Sequence, residues 1–240
     1  MNKACFFLLL IMVSSSWLFG EDLPEWYTVL RDAVYSQNLS SREIAPIFNT
    51  AKGQAVKELS GVNLSVMLSR CEYMMGRSFQ LEEKNTEARA CFEKGLAYAQ
   101  ESLDMKASPE GWQMLSENIS YLCTVRSNAW VMANGLKVER YAKSALELDP
   151  GNTAAQFLVA ARWVYAPSPF HNYKRGLQMM EAINNDYSSR LHRDDRFNVY
   201  LAIGYAHNQQ KRSGDARIWF LKALDVYPDN KYVKKLIAEL

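Results

Sequence analysis

Residues 197–230 read FNVYLAIGYAHNQQKRSGDARIWFLKALDVYPDN, and the spacing within them decides the fold. Tyr200, Ile203, Gly204 and His207 place a large residue, an aliphatic, a small residue and a ring on one helix. Ala216, Phe220 and Ala223 recur at helical intervals on a second helix, and Pro228 stands where that helix must end. Two antiparallel helices approach closely only where one presents almost no side chain. Gly204 and Ala216 therefore permit contact, while Phe220 fills the space beside them.

The same order recurs upstream, where Met75, Gly76, Phe79, Ala88 and Phe92 stand in for Ile203, Gly204, His207, Ala216 and Phe220. There Gly95 replaces the second alanine and no proline closes the unit. A third copy is legible in YAKSALELDP, where Ala142, Ala145 and Pro150 keep the spacing, but Arg126 occupies the place of its small residue. A fourth runs through FLVAARWVY, with Val159, Ala160 and Trp163 in register. It needs an insertion before Gly176, Met180 and Ile183 restore the pattern.

Over residues 69–230 the chain resembles the tetratricopeptide repeat family, with about four repeats, two of them degenerate. The resemblance implies an all-α fold, a right-handed superhelix of antiparallel helix pairs, whose first helices line a concave groove that holds proteins or peptides. ALELDPGNTAAQFLVAARWVYAPSPF carries a narrower likeness to periplasmic helical-repeat proteins associated with tripartite ATP-independent (TRAP) transporters. That likeness implies a ligand-handling accessory with transporter components as partners. The continuation HNYK departs from the glycine-rich one expected there.

The amino terminus, MNKACFFLLLIMVSSSWLFG, has a basic start, an apolar run from Phe6 to Val13 and a small residue at Gly20, the pattern of a cleavable signal peptide over residues 1–20. The apolar run is short for a membrane span, and Cys5 precedes it, which disfavours a lipoprotein. The expected location is periplasmic or secreted. The 240 residues carry 28 basic and 26 acidic side chains, so no whole-chain field favours nucleic acid. Cys71, Cys91 and Cys123 are odd in number and lack metal-like spacing; small apolar packing explains them best.

Residues 21–68 are expected to form a helical cap, one helix opening at Pro24 with Trp26, Leu30 and Val34, the next carrying Ile47, Phe48, Ala51, Ala55 and Leu59. Residues 231–240 cap the other end through Val233, Leu236, Ile237 and Leu240. Ser108 and Pro109 suit the start of a helix running to about Met132. No strand pattern appears. Catalytic chemistry is not expected either: His171, His192 and His207 share no metal spacing, and Asp194 and Asp195 read as an N-terminal acidic cluster before a helix starting near Phe197. No cofactor is implied.

The register assigns Arg70, Tyr73, Arg77, Trp130, Phe157, Tyr165, Asn198, Tyr205 and Asn208 to the groove. Aromatics there can anchor a peptide and arginines can meet acidic groups, while simple packing between helices is the competing role. The loop APSPFHNYK, stiffened by two prolines, places Phe170, His171 and Tyr173 at the rim.

Overall fold

A computed structural model describes residues 23–240, so the signal-peptide reading and Cys5 lie outside the described residues. The described residues form twelve helices and no strand. The cap contributes α1 (Glu25–Ser36) and α2 (Ser41–Glu58). Four pairs follow: α3 (Gly61–Leu81) with α4 (Asn85–Met105), α5 (Pro109–Val125) with α7 (Leu136–Leu148), α8 (Thr153–Tyr165) with α9 (Tyr173–Tyr187), and α10 (Arg193–Gln209) with α11 (Ser213–Val226). A short α6 (Asn128–Asn134) interrupts the second pair, and α12 (Lys231–Ala238) covers α11. Because α3 meets α5, α5 meets α8, and α8 meets α10, the first helices make the inner wall of the curve.

Steric economy builds each pair. A Cβ added to Gly204 would stand 2.5 Å from the Phe220 ring, and one added to Gly76 would stand 2.5 Å from the Phe92 ring. Ala216, Phe220, Ala223, Ala88 and Phe92 are fully buried, as the spacing requires. At Gly95 the second alanine is replaced by a polar knot. Asn118 of α5 fills the space over the glycine, donating to Met114 O at 2.8 Å and Ser69 Oγ at 3.1 Å, while Ser69 Oγ donates to Gly95 O at 2.7 Å.

Two expectations are corrected. The helix starting at Pro109 stops at Val125 rather than near Met132: Arg126 is extended (φ −107°, ψ 166°), and Ser127 caps α6 by accepting from Trp130 N. The Arg126 side chain is drawn sideways to Glu93 of α4 and over the Trp130 ring. The first helix of the last pair, α10, starts at Arg193 rather than near Phe197, so Asp194 and Asp195 lie inside its first turn and not before it. Asp194 pairs with Arg31 at 3.3 Å, and Asp195 accepts from Thr153 Oγ1 at 2.9 Å.

The cap does more than cover an end. While α2 packs on α3, α1 lies against both α3 and α10, so it bridges the first and last pairs. Its stripe Tyr27, Leu30, Val34 and Tyr35 is buried. Tyr35, 1% exposed, stacks on Tyr227 at 5.1 Å and meets the edge of Phe197 at 5.4 Å. Asn198 donates to its hydroxyl at 2.8 Å and Asn230 to its carbonyl at 2.7 Å. Beside it, Asp32 accepts from Tyr227 Oη and from Arg193 Nη1, each at 2.7 Å. Burial pushes the Asp32 carboxyl up, but Arg31, Tyr227 and Arg193 outweigh it and hold it below the usual range.

Among the described residues Cys71, Cys91 and Cys123 are unpaired, Cys71 buried and the other two half-buried; burial pushes the thiols of Cys71 and Cys91 up to about 12. His207 is buried on α10, and burial first, then Arg212, lowers its pKa.

Replacing Gly204 with alanine should destabilise the protein by roughly 1–3 kcal/mol, because the Phe220 ring has nowhere to go. The same change at Gly53, exposed inside α2 with nothing within 4 Å of the added Cβ, should stabilise by about 0.5–1 kcal/mol. Denaturant melts of the two variants check the sign of each.

Burial, reinforced by the charge of Asp194, pushes the Asp195 carboxyl up to about 8. A raised carboxyl favours the folded state only while protonated. Its contribution is therefore full below the unfolded value near 4 and is lost as pH rises through the folded one. Asp195→Asn should flatten the decline in melting temperature between about pH 4 and pH 8. A parallel decline in both proteins would show that Asp195 is not its source.

Candidate functional site

The inner wall is divided by α1. Under it lie Tyr73, 6% exposed and packed on Tyr121 at 5.1 Å and Phe92 at 6.3 Å, together with Asn198, whose amide is committed to Tyr35. Arg70 is half-buried among the charges of Glu117, Glu110 and Asp194 and the phenol of Tyr27. Four of the groove positions read from the sequence therefore belong in whole or part to the closure: Arg70, Tyr73, Asn198 and Arg77, whose guanidinium lies 4.0 Å above the Tyr35 ring. Phe157 packs between helices, half-buried against the clusters around Leu158 and Val164. Trp130 sits on α6 beneath Arg126, 5.4 Å from it.

Beyond the carboxyl end of α1 the wall is open. Tyr165, the last residue of α8, is 44% exposed and packs on Tyr205 of α10 at 5.2 Å; Asn208, half-buried, follows on the same helix. Water reaches Tyr165, but protein surrounds it as on any concave wall. Burial, with the neighbouring phenols of Tyr232, Tyr121 and Tyr205, holds its hydroxyl well above the ordinary value. Burial and the Tyr173 phenol likewise raise Tyr205. The rim loop meets the wall where Tyr173 and Tyr205 pack on one core cluster; His171 stacks on Tyr173 at 4.4 Å and Phe170 stays 50% exposed. Two groups read separately from the sequence form one aromatic patch.

Sequence reasoning missed Tyr121, which packs on Tyr73 and Phe92 beneath Arg77, Tyr232, 44% exposed on α12, and Asp32 and Tyr35, which close the array. The stripe on α1 was legible as amphipathic, but periodicity says which face of a helix is apolar and not which surface covers it. Two hollows lie elsewhere. One of about 520 Å³ runs along the outward face of α1, past Thr28, Asp32 and Asn38. Another of about 240 Å³ is almost wholly apolar, between Leu146, Val159, Met179 and Ile183. Neither gathers polar groups around an apolar pocket as a ligand site does. Among the described residues no group of three or more histidines, cysteines or carboxylates could hold a metal, and no helix is long and apolar enough to cross a membrane.

Comparison with curated protein sequences finds no match. Among solved structures the chain is similar to YrrB, described as a tetratricopeptide-repeat protein with an unusual peptide-binding site. Identity is 15%, covering 90% of this chain and 99% of that one, with a TM-score of 0.38. The family model of the tetratricopeptide repeat matches residues 197–230, the pair α10 and α11 with the turn into α12. With its Gly204 and Phe220 contact in place, the stretch 197–230 is thus similar in both sequence and packing to a tetratricopeptide repeat.

Proposed function

We propose that this protein is an exported scaffold that holds a peptide or protein segment at the open end of its inner wall, against Tyr165, Tyr205, Tyr232, Phe170 and Tyr173. One observation carries the reading. Where α1 lies the wall is sealed, yet beyond it large rings stay exposed, Tyr165 and Tyr232 at 44% and Phe170 at 50%. Burial chiefly raises the hydroxyls of all three tyrosines, helped by the phenols of Tyr232, Tyr121 and Tyr205 at Tyr165, by Tyr173 at Tyr205, and by Tyr205, Glu239 and Tyr121 at Tyr232. Ring faces with unused hydroxyls supply contact area and adaptable hydrogen bonding together, which is what suits tyrosine to recognition surfaces. The leader pattern at residues 1–20 supports export. The absence of any acid, base or nucleophile constellation in the motifs supports a binding role over catalysis.

The compactness of the patch also suits a small apolar solute, and this favours a second reading: a ligand-handling accessory beside a TRAP-type transporter. A transporter subunit recovered with the protein would favour it.

Changing Tyr165 and Tyr232 together to alanine should lower recovery of the native partner from periplasmic extract, with stability within about 1 kcal/mol of the parent, since both are substantially exposed. Tyr73→Ala should instead cost about 3–5 kcal/mol, as truncation of a buried ring does. Undiminished recovery by the folded Tyr165 and Tyr232 double variant would move the contact off this patch.

A further inference from the structure

We propose that this protein docks on an anionic phospholipid surface through α6 and the first turns of α7, a face separate from the aromatic patch and independent of its reading. The two most exposed large apolar side chains among the described residues stand there together, Met132 at 72% and Leu136 at 69%. None of the seven residues of α6 is buried. A helix inserted between α5 and α7 that buries none of its residues adds little to the core, so its apolar composition has another use.

Met132 and Leu136 share one line. Gly135, between the two helices, is itself right-handed helical (φ −58°, ψ −33°), and its N–H donates to Val131 O at 2.7 Å. The chain therefore turns through the junction without a break, and helical spacing sets Met132, Leu136, Arg140 and Lys143 on one outward stripe. All four are exposed.

The stripe is apolar at α6 and cationic beyond it. No acidic residue stands between Glu117 and Glu139. Glu139 is already engaged, by Lys143 at 2.8 Å and by Arg162, and Glu93 holds Arg126. Among the described residues Lys137 and Arg140 meet no carboxylate. Lys137 Nζ donates to Asn134 Oδ1 at 2.8 Å and Arg140 Nη2 to Tyr141 Oη at 3.2 Å.

That pattern selects the partner. A protein would need a pocket shaped to a protruding apolar turn, whereas lipid yields to one. With Met132 and Leu136 at the acyl boundary, Arg140 stands one turn further on, about 6 Å along the axis, within the depth over which interfacial helices meet headgroups. Neutral lipid would use the apolar residues alone; Lys137 and Arg140 complement negative headgroups. So few apolar side chains bind reversibly, and both halves of the stripe are needed.

The test mixes the full chain with vesicles of phosphatidylcholine alone, or of phosphatidylcholine and phosphatidylglycerol in equal parts, and reads the bound fraction by co-sedimentation. The mixed vesicles should bind about tenfold or more tightly, and the preference should fade in high salt. Lys137→Gln with Arg140→Gln should weaken binding to mixed vesicles roughly twentyfold. Met132→Ser with Leu136→Ser should weaken it about tenfold. Circular dichroism checks folding, and if one double variant does not fold the other decides. Equal binding of both vesicle types overturns the proposal. Binding of neither overturns it as well and hands the stripe to a protein partner. Undiminished binding by a folded double variant places the attachment elsewhere on the chain, the amino-terminal apolar run included, and overturns it too.

Discussion

The insertion of Tyr35 between Phe197 and Tyr227 is the contact on which the rest depends. Helical-repeat arrays are nearly one-dimensional: each unit touches its neighbours, and stability sums along the chain. Here hydrogen bonds join residues 163 and 195 positions apart, at Asn198 with Tyr35 and at Asn230 with Tyr35. The last pair cannot loosen without exposing a ring that the first helix buries, so both ends of the array share one closure.

The closure is dense in polar contacts, yet the rings dominate it energetically. Aromatic pairs contribute about 0.5–1.5 kcal/mol each beyond the area they bury. The largely buried pair of Arg31 with Asp194 loses in desolvation much of what it gains in attraction, and that of the exposed Arg193 with Asp32 is screened by solvent. What the polar groups supply is position. Tyr35 has its hydroxyl fixed by Asn198 and its carbonyl by Asn230, and the same Asn230 side chain caps α12 by accepting from Val233 N at 3.0 Å. One side chain thus sets the angle of the last helix and the seat of the first.

Gly204, Ala216 and Phe220 could be read from the sequence because their constraint is local: a close approach of two consecutive helices demands a small residue at a fixed interval. The same logic located Gly76 and Phe92. It failed at Gly95, where Asn118 of the next pair completes the contact, and at Arg126, where a serine cap competes with continuation of the helix. The groove was half legible. Tyr73 and Tyr205 both lie within a turn of the small residue of a first helix, Gly76 and Gly204, and both read as groove tyrosines in sequence. They part because α1 covers one and not the other, and a helix with an apolar stripe carries no mark of the surface it will meet. The union of the rim loop with Tyr205 through Tyr173 was invisible for the same reason, since it depends on how an insertion folds back and not on any interval.

The division of the wall by α1 also sets how binding can work. An open repeat array flexes, and a ligand that orders it must offset the lost freedom. In this protein a helix that presents the patch also holds the closure: α10 carries Asn198 under α1 and Tyr205 beyond it. Closure therefore fixes the relative positions of the exposed rings before any ligand arrives. The sealed part of the groove, by giving up its capacity to bind, lowers the ordering cost of the part left open.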